Sequence, residues 1–363
     1  MITIGWIGFA QGLFAAILMF SKKDKSLSDI VLSLWLTFLA FEFFSLAIDY
    51  EMFDNILLSS SFLLFNPALF IYIRSLVEKK FQLKWLMLLH LLPFVVSEII
   101  AYSTKIPFTF ENFFDLDAHF AFRLGFSIAT IISWLVYLPL SIRLLHRYRR
   151  NLQNEKSNID RGQNLNWLMF VSIFYIIYSI IAGILGFTFV FLGVGAELVT
   201  SYNYVVLLLF IYIISFYGIY QIRIETQTEP EEEIEVISYK NSMLTQETKS
   251  KIKNKILAYF ESENPYLNPN LNMDLLSDAL NFPKYQLTEV LNTEIGKNFF
   301  QFVNSYRIEA VKKKLLEPKL KYSIEAIGYE CGFNSKSSFY TVFKNLTGET
   351  PVTYRKKNIG KIS

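Results

Sequence analysis

Two hydrophobic patterns divide this chain. Before residue 222, apolar residues run on with no polar face in seven stretches: about Thr3–Phe20, Leu27–Ile48, Ile56–Val77, Trp85–Tyr102, Phe120–Leu145, Trp167–Phe191 and Tyr204–Ile222. Each is close to the ~20 residues that cross a bilayer core. As helices of a soluble protein they would leave no polar side to meet water, so the pattern predicts a seven-helix transmembrane bundle. The first stretch lacks a basic start and a small-residue cleavage site, and reads as a retained span rather than a signal peptide. From Lys249 onward, apolar positions recur at helical spacing between charged faces, which predicts a second, soluble helical domain. The expected fold class is all-α.

The C-terminal pattern is specific. From Ser323 to Arg355 it predicts a helix, a sharp turn, a second helix and a short tail. Ile324 and Ile327 share one face, and Gly328 leaves room for a close neighbour. Gly332 suits the left-handed cap that ends the first helix. Ser335 is placed to cap the second, on which Phe339, Val342 and Phe343 form the buried stripe. Lys336, Ser337, Tyr340, Thr341 and Lys344 occupy the other face. A short polar helix held out by a helical partner is how a helix-turn-helix presents side chains to a DNA major groove.

The unit is duplicated. Met273, Leu276, Ser277, Asn281 and Phe282 match Ile324, Ile327, Gly328, Gly332 and Phe333 at one constant offset. Leu287, Val290, Leu291 and Gly296 match Phe339, Val342, Phe343 and Gly348 at an offset one residue longer, as one extra turn residue requires. Between the copies, Asn298–Leu316 predicts a joining helix whose Phe299, Phe302, Val303, Tyr306, Ala310 and Val311 would pack on both units. Lys249–Glu263 predicts an amphipathic helix, and Asn272 an N-cap.

On these motifs the region from about Lys253 to Lys357 resembles the AraC/XylS family of bacterial transcription regulators. The residues that carry the likeness are Ile324, Ile327, Gly328, Gly332 and Phe333, then Ser335, Phe339, Phe343 and Lys344, then Gly348, Pro351, Tyr354 and Arg355, with Gly296, Arg307 and Ala310 from the first unit and joining helix. Pro283 stands where the family has a serine cap, Leu291 where it has phenylalanine, and Ser277 and Gly328 where alanine is common. The resemblance implies a homeodomain-like, two-unit DNA-binding domain. Its recognition helices, about Pro283–Asn292 and Ser335–Asn345, would enter successive major grooves about 34 Å apart. By motif position, Lys284, Tyr285, Thr288 and Glu289 would face bases in one groove, and Lys336, Ser337, Tyr340 and Thr341 in the next. Lys can donate to guanine, a Thr methyl can touch thymine, and Glu can accept from cytosine. Arg307, Lys344, Arg355, Lys356 and Lys357 suit phosphates, which fix position without reading sequence.

Composition adds three constraints. The chain is 52% hydrophobic and 17% aromatic, with 35 Phe and 21 Tyr concentrated in its first part, too apolar for an ordinary soluble protein. Its one cysteine, Cys331, rules out an internal disulfide and any multi-cysteine zinc site, and reads as a small core residue. The net charge of +3 hides an asymmetry: 18 Lys/Arg against 11 Asp/Glu from Lys249 onward, and seven Glu to one Lys over Glu225–Glu247. That acidic, proline-broken stretch reads as a solvated spacer. The expected domains are therefore 1–224, a transmembrane sensor; 225–248, an acidic linker; and 249–363, the DNA-binding domain.

Loop charges orient the spans. Lys22, Lys23 and Lys25 follow the first span; Arg74, Lys79, Lys80 and Lys84 the third; and Arg143, Arg147, Arg149, Arg150, Lys156 and Arg161 the fifth. The intervening loops carry Asp49, Glu51 and Asp54, then Glu111, Asp115 and Asp117, then Glu197, with Lys105 their clear base. The N-terminus is expected outside and the C-terminal domain in the cytoplasm of a bacterial inner membrane. Ionisable residues within the spans are few: Glu42, His90, Glu98 and Arg123. Such groups are costly in hydrocarbon and mark either a signal site or packing between helices, the plainer reading. His90 and Glu98, eight residues apart, would share one helix face, and Arg123 would reach the outer surface.

The function expected is a membrane-bound, sequence-specific transcription regulator that acts as a one-component signal transducer, with no cofactor, no metal and no enzymatic activity. Its expected partners are double-stranded promoter DNA, the lipid bilayer, RNA polymerase, a second copy of the chain, and a small-molecule or envelope signal. The alternative is a receptor or transporter whose basic tail binds protein or anionic lipid. An enzyme would need convergent carboxylates or a histidine cluster, which three scattered His do not give. A histidine kinase would need a Gly-rich nucleotide-binding segment after the spans, and none is present.

Overall fold

A computed structural model of the chain describes residues 1–58, 60–78, 80–105, 115–160, 162–192, 196–221, 244–317 and 322–359. The acidic linker up to residue 243, the loop charges Lys79, Glu111 and Arg161, and the Glu197 side chain lie outside the described residues. Every regular element among the described residues is helical. The chain divides into two compact units: Met1–Arg147 with Leu165–Glu225, and Tyr148–Asn164 with Thr226–Ser363.

Among the described residues the first unit holds seven apolar helices: α1 (Ile2–Phe20), α2 (Leu27–Phe53), α3 (Ser61–Val77), α4 (Leu92–Thr104, preceded by a 3-10 segment, Trp85–Leu91), α5 (Phe120–Glu155, which from Tyr148 onward belongs to the second unit), α6 (Asn166–Leu192) and α7 (Ala196–Tyr220). Six are long and apolar enough to cross a membrane, α4 together with its 3-10 segment. The exception is α3, expected from Ile56 but helical only from Ser61 and 17 residues long. It lies at the centre of the unit. Its Phe65 stacks on Tyr175 with ring centroids 4.1 Å apart and also meets Trp35 and Phe210. By contrast, α4 and α5 expose Ile99, Leu135 and Ile132 on their outer faces. An apolar exterior suits a lipid surround rather than water. Helices α1 and α2 approach closely because Gly8 leaves the Phe43 ring a space that a Cβ would occupy.

The ionisable residues of this unit depart from expectation in three places. His90 and Glu98 do not share a helix face, because the 3-10 segment gives way to α4 between them at Leu92–Pro93. His90 Nδ1 lies 2.6 Å from the Tyr137 hydroxyl, whereas Glu98 accepts from the Ser60 hydroxyl. Arg123 does not reach outward freely: it is buried and ion-paired to Asp117 at 2.9 Å. Asp49 is not a loop residue, since α2 continues past it. Asp49 is fully buried and accepts from Tyr102 Oη at 2.7 Å and Leu57 N at 2.9 Å. Glu42 is buried as expected, accepts from Tyr204 Oη at 3.4 Å, and has Glu98 and Asp49 as electrostatic neighbours.

The second unit contains α8 (Gln246–Ser262), α9 (Met273–Leu280), α10 (Lys284–Val290, continued by a wider turn to Ile295), α11 (Phe299–Leu315), α12 (Ile324–Glu330), α13 (Lys336–Thr347) and α14 (Pro351–Ile359). It has two cores joined by α11. Phe299, Phe302 and Val303 enter the first, with Ile252, Ile256 and Phe260 of α8, Leu276 of α9 and Leu287 of α10. Ile308, Val311 and Leu315 enter the second, with Ile327, Phe333, Phe339 and Phe343. The joining helix thus packs on both units, as its periodicity predicts. It starts where Asn298 and Gln301 form a reciprocal capping box.

Candidate nucleic-acid interface

The backbone repeats as the sequence does. Asn281 and Gly332, at matching positions, both take left-handed conformations, with φ of 54° and 92°. Each lets the following phenylalanine amide turn back to the helix before it: Phe282 N to Ser277 O at 3.3 Å, and Phe333 N to Gly328 O at 3.1 Å. Recognition helix α13 then starts at the Ser335 cap, whose hydroxyl accepts from Ser338 N at 3.2 Å. Its counterpart α10 starts after Pro283, which caps nothing with its side chain and instead fixes an extended entry. Gly296 and Gly348 close the two units with φ of 73° and 78°.

The outer faces carry most of the residues expected there. On α13, Lys336 and Thr341 are exposed, and Ser337 and Tyr340 are half-buried. Lys336 is ion-paired to Glu325 at 2.9 Å, and Tyr340 Oη donates to the same carboxylate at 3.1 Å. The Lys336 ammonium also sits 5.7 Å from the Tyr340 ring centroid. On α10, Tyr285 is exposed, Thr288 is half-buried, and Lys284 is ion-paired to Asp274. Lys344, Lys356 and Lys357 are exposed cations at the end of α13 and on α14. Arg355 is half-buried, and its Nε donates to Leu315 O at 3.2 Å.

Two expected contacts are excluded by burial. Glu289 is only 5% exposed and pairs with Lys249 of α8 at 2.7 Å. Its neighbours Leu287 and Val290 face the first core, and position 289 turns with them toward α8 rather than toward a base. Arg307 is fully buried and cannot reach a phosphate. Its guanidinium donates to neutral oxygens: Tyr266 O at 2.8 Å, Asn268 O, Ser157 O and Ser157 Oγ at 3.0 Å each, and Asn304 Oδ1 at 3.4 Å. Burial pulls its pKa down to about 9, which leaves it charged at neutral pH. Arg307 is therefore a structural cation at the junction of the two copies.

Sequence reasoning missed two features. The acids Asp274 and Glu325 hold the first lysine of each recognition helix, and their matching repeat positions could have revealed them. The segment Lys156–Asp160 packs within this unit, where its side chains bond to residues 111 to 174 positions away, and no local pattern announces that.

Residues 276–357 match the family described as a helix-turn-helix domain. The chain is 32% identical over 94 residues to an uncharacterised HTH-type transcriptional regulator in the cgkA 5' region of Pseudoalteromonas carrageenovora, covering 26% of this chain and 54% of that protein. It is 32% identical over 96 residues to the uncharacterised transcriptional regulatory protein YesN of Bacillus subtilis, covering 26% of each. It is 28% identical over 88 residues to the xylose operon regulatory protein of Escherichia coli K12, covering 24% of this chain and 22% of that protein. The chain thus spans about half the length of the first and about a quarter of the others. Its C-terminal region is an AraC-type helix-turn-helix domain, of the kind carried by transcriptional regulators.

Proposed function

We propose that this chain is a multi-span protein of a bacterial inner membrane that binds promoter DNA through its C-terminal unit and regulates transcription in response to a signal received by its apolar helices. The observation that carries the reading is the duplicated unit, in which each recognition helix turns polar side chains outward: Lys284, Tyr285 and Thr288 on one, Lys336, Ser337, Tyr340 and Thr341 on the other. These residues read bases, while Lys344, Arg355, Lys356 and Lys357 fix the phosphates. Seven apolar helices, six of span length and the 17-residue α3, together with the alternation of basic and acidic loops, support an outside N-terminus and a cytoplasmic DNA-binding domain. Glu42 and Glu98, which crowd Asp49, are the signal-responsive groups, and His90 and Arg123 tie segments together. A signal works only by binding one state of the protein better than another. RNA polymerase and a second copy of the chain are its partners at the promoter.

Genome-wide mapping of sites occupied by the full-length protein, beside a form lacking Met1–Glu225, tests the reading. Discrete promoter peaks whose occupancy changes on deletion are expected. Featureless coverage that follows only DNA abundance would overturn it.

A further inference from the structure

The link between α5 and α6 supplies a buried strap to the DNA-binding unit. Ser157 is fully buried, and both of its oxygens are engaged. Its carbonyl accepts from Arg307 Nη1 and Asn304 Nδ2, each at 3.0 Å. Its hydroxyl accepts from Arg307 Nη2 at 3.0 Å and donates to Leu271 O at 2.5 Å. The next residue spans the two copies. Asn158 Nδ2 donates to Pro269 O at 2.7 Å, ahead of the first helix-turn-helix, and to Gly332 O at 2.9 Å, in the turn of the second. Lys156 bridges to Asn272, the N-cap of α9, and Asp160 Oδ1 accepts from Asn334 Nδ2 at 3.3 Å, just before α13. Four of the five positions from Lys156 to Asp160 therefore reach the entry to α9, the joining helix α11 or the entry to α13.

We infer that Ser157 and Asn158 are positioning residues for DNA recognition, which hold the two helix-turn-helix copies in the one mutual orientation that lets both recognition helices engage a single duplex. The inference rests on the DNA-binding reading above. Two physical points carry it. Arg307 gives two of its donated bonds to Ser157, so loss of the strap strands a buried guanidinium short of acceptors, a costly state. Both acceptors at Asn158 are carbonyl oxygens, so its NH2 must face them and a carboxylate in its place would be repelled by both. The strap is also the direct continuation of α5, which ends at Glu155.

The test uses the full-length protein in lipid nanodiscs, with spin labels at Tyr285→Cys and Thr341→Cys in a Cys331→Ala background, and reads the distance distribution between α10 and α13. A single narrow distribution is expected for the parent and for Ser157→Thr, which keeps the hydroxyl. Asn158→Asp should broaden or shift it, and Asn158→Ala should do so less. In gel shifts on an operator duplex recovered by mapping with the parent protein, Asn158→Asp should lose about tenfold in affinity. It should also flatten the penalty for one base pair inserted between the half-sites, while affinity for random duplex holds. Unchanged distance distributions, or a parent distribution already broad, would overturn the inference whatever the DNA result. A parent that prefers no duplex would instead sink the DNA-binding reading and leave the distance measurement to decide the strap.

Discussion

Lys336 Nζ lies 2.9 Å from Glu325 Oε1, and the matching positions of the first copy, Lys284 and Asp274, form the same pair. In each unit the first turn of the scaffold helix thus holds the first lysine of the recognition helix. The Glu325 carboxyl is held down to about 2 from 4.5, chiefly by the hydrogen bond from Lys336. A depressed carboxyl contributes above its unfolded value and fails only as pH falls through its folded one, so this pair persists from pH 8 to below pH 4. Glu325→Gln should therefore act by releasing a lysine and not by altering a pH response. In salt-titrated anisotropy, affinity for random duplex should rise severalfold and the salt slope should steepen by up to about one. Selectivity for the operator should fall. An unchanged slope would place Lys336 away from DNA.

Cys331 is fully buried in the second core, and burial pushes its thiol up to about 11 from 9.0. The thiolate is the reactive form, so the folded protein should resist a disulfide reagent at pH 8 and react at once when denatured. The pKa is raised on folding, so the stability this thiol contributes is fully present below pH 9 and is lost as pH rises through about 11. Rapid labelling at pH 8 without unfolding would mean that the second copy opens readily.

The parts of this molecule that the sequence reveals are those set by local rules. Asn272 and Ser335 cap their helices because a short polar side chain before an apolar run has that one use. The joining helix was legible because its apolar positions repeat at helical spacing on two faces. The two buried exceptions, Glu289 and Arg307, were not, because motif position says which face a residue occupies and not what packs against that face. Lys249 reaches Glu289 from α8, and Ser157 reaches Arg307 from a segment that hydropathy assigns only to a loop. The same holds for His90, where seven residues of 3-10 helix undo a spacing argument that assumes a continuous α-helix.

Gly332 and Gly348 both require positive φ, but they differ in surroundings. A Cβ on Gly332 would fall 2.2 Å from Tyr266 O, whereas one on Gly348 would meet nothing within 4 Å. Gly348→Ala should cost about 1 kcal/mol, the strain of a left-handed alanine alone. Gly332→Ala adds a backbone clash that no rotamer relieves and should cost roughly 3 kcal/mol or more. Hydrogen exchange of the α12 and α13 amides in the full-length protein reads both. Equal loss of protection in the two variants would show that the 265–267 turn yields freely.

The two copies also solve one packing problem in two ways. A Cβ on Gly328 would fall 2.7 Å from the Phe339 ring, so the second copy pairs no side chain with a large one. In the first copy the matching residues are Ser277 and Leu287; the smaller leucine leaves room for a hydroxyl, which donates to Phe282 O at 2.7 Å. Gly328→Ser alone should overpack the second core by roughly 1–3 kcal/mol, and Phe339→Leu alone should leave a void costing about 1–2 kcal/mol. Combined, they recreate the first copy's solution, with Phe333 O as the acceptor. The double variant should therefore be more stable than the sum of the singles by about 1 kcal/mol or more, within the range of coupling between touching residues. Exchange protection across α12 and α13 in the four proteins of the cycle measures that coupling, and strict additivity would mean that the Phe339 ring moves aside at no cost.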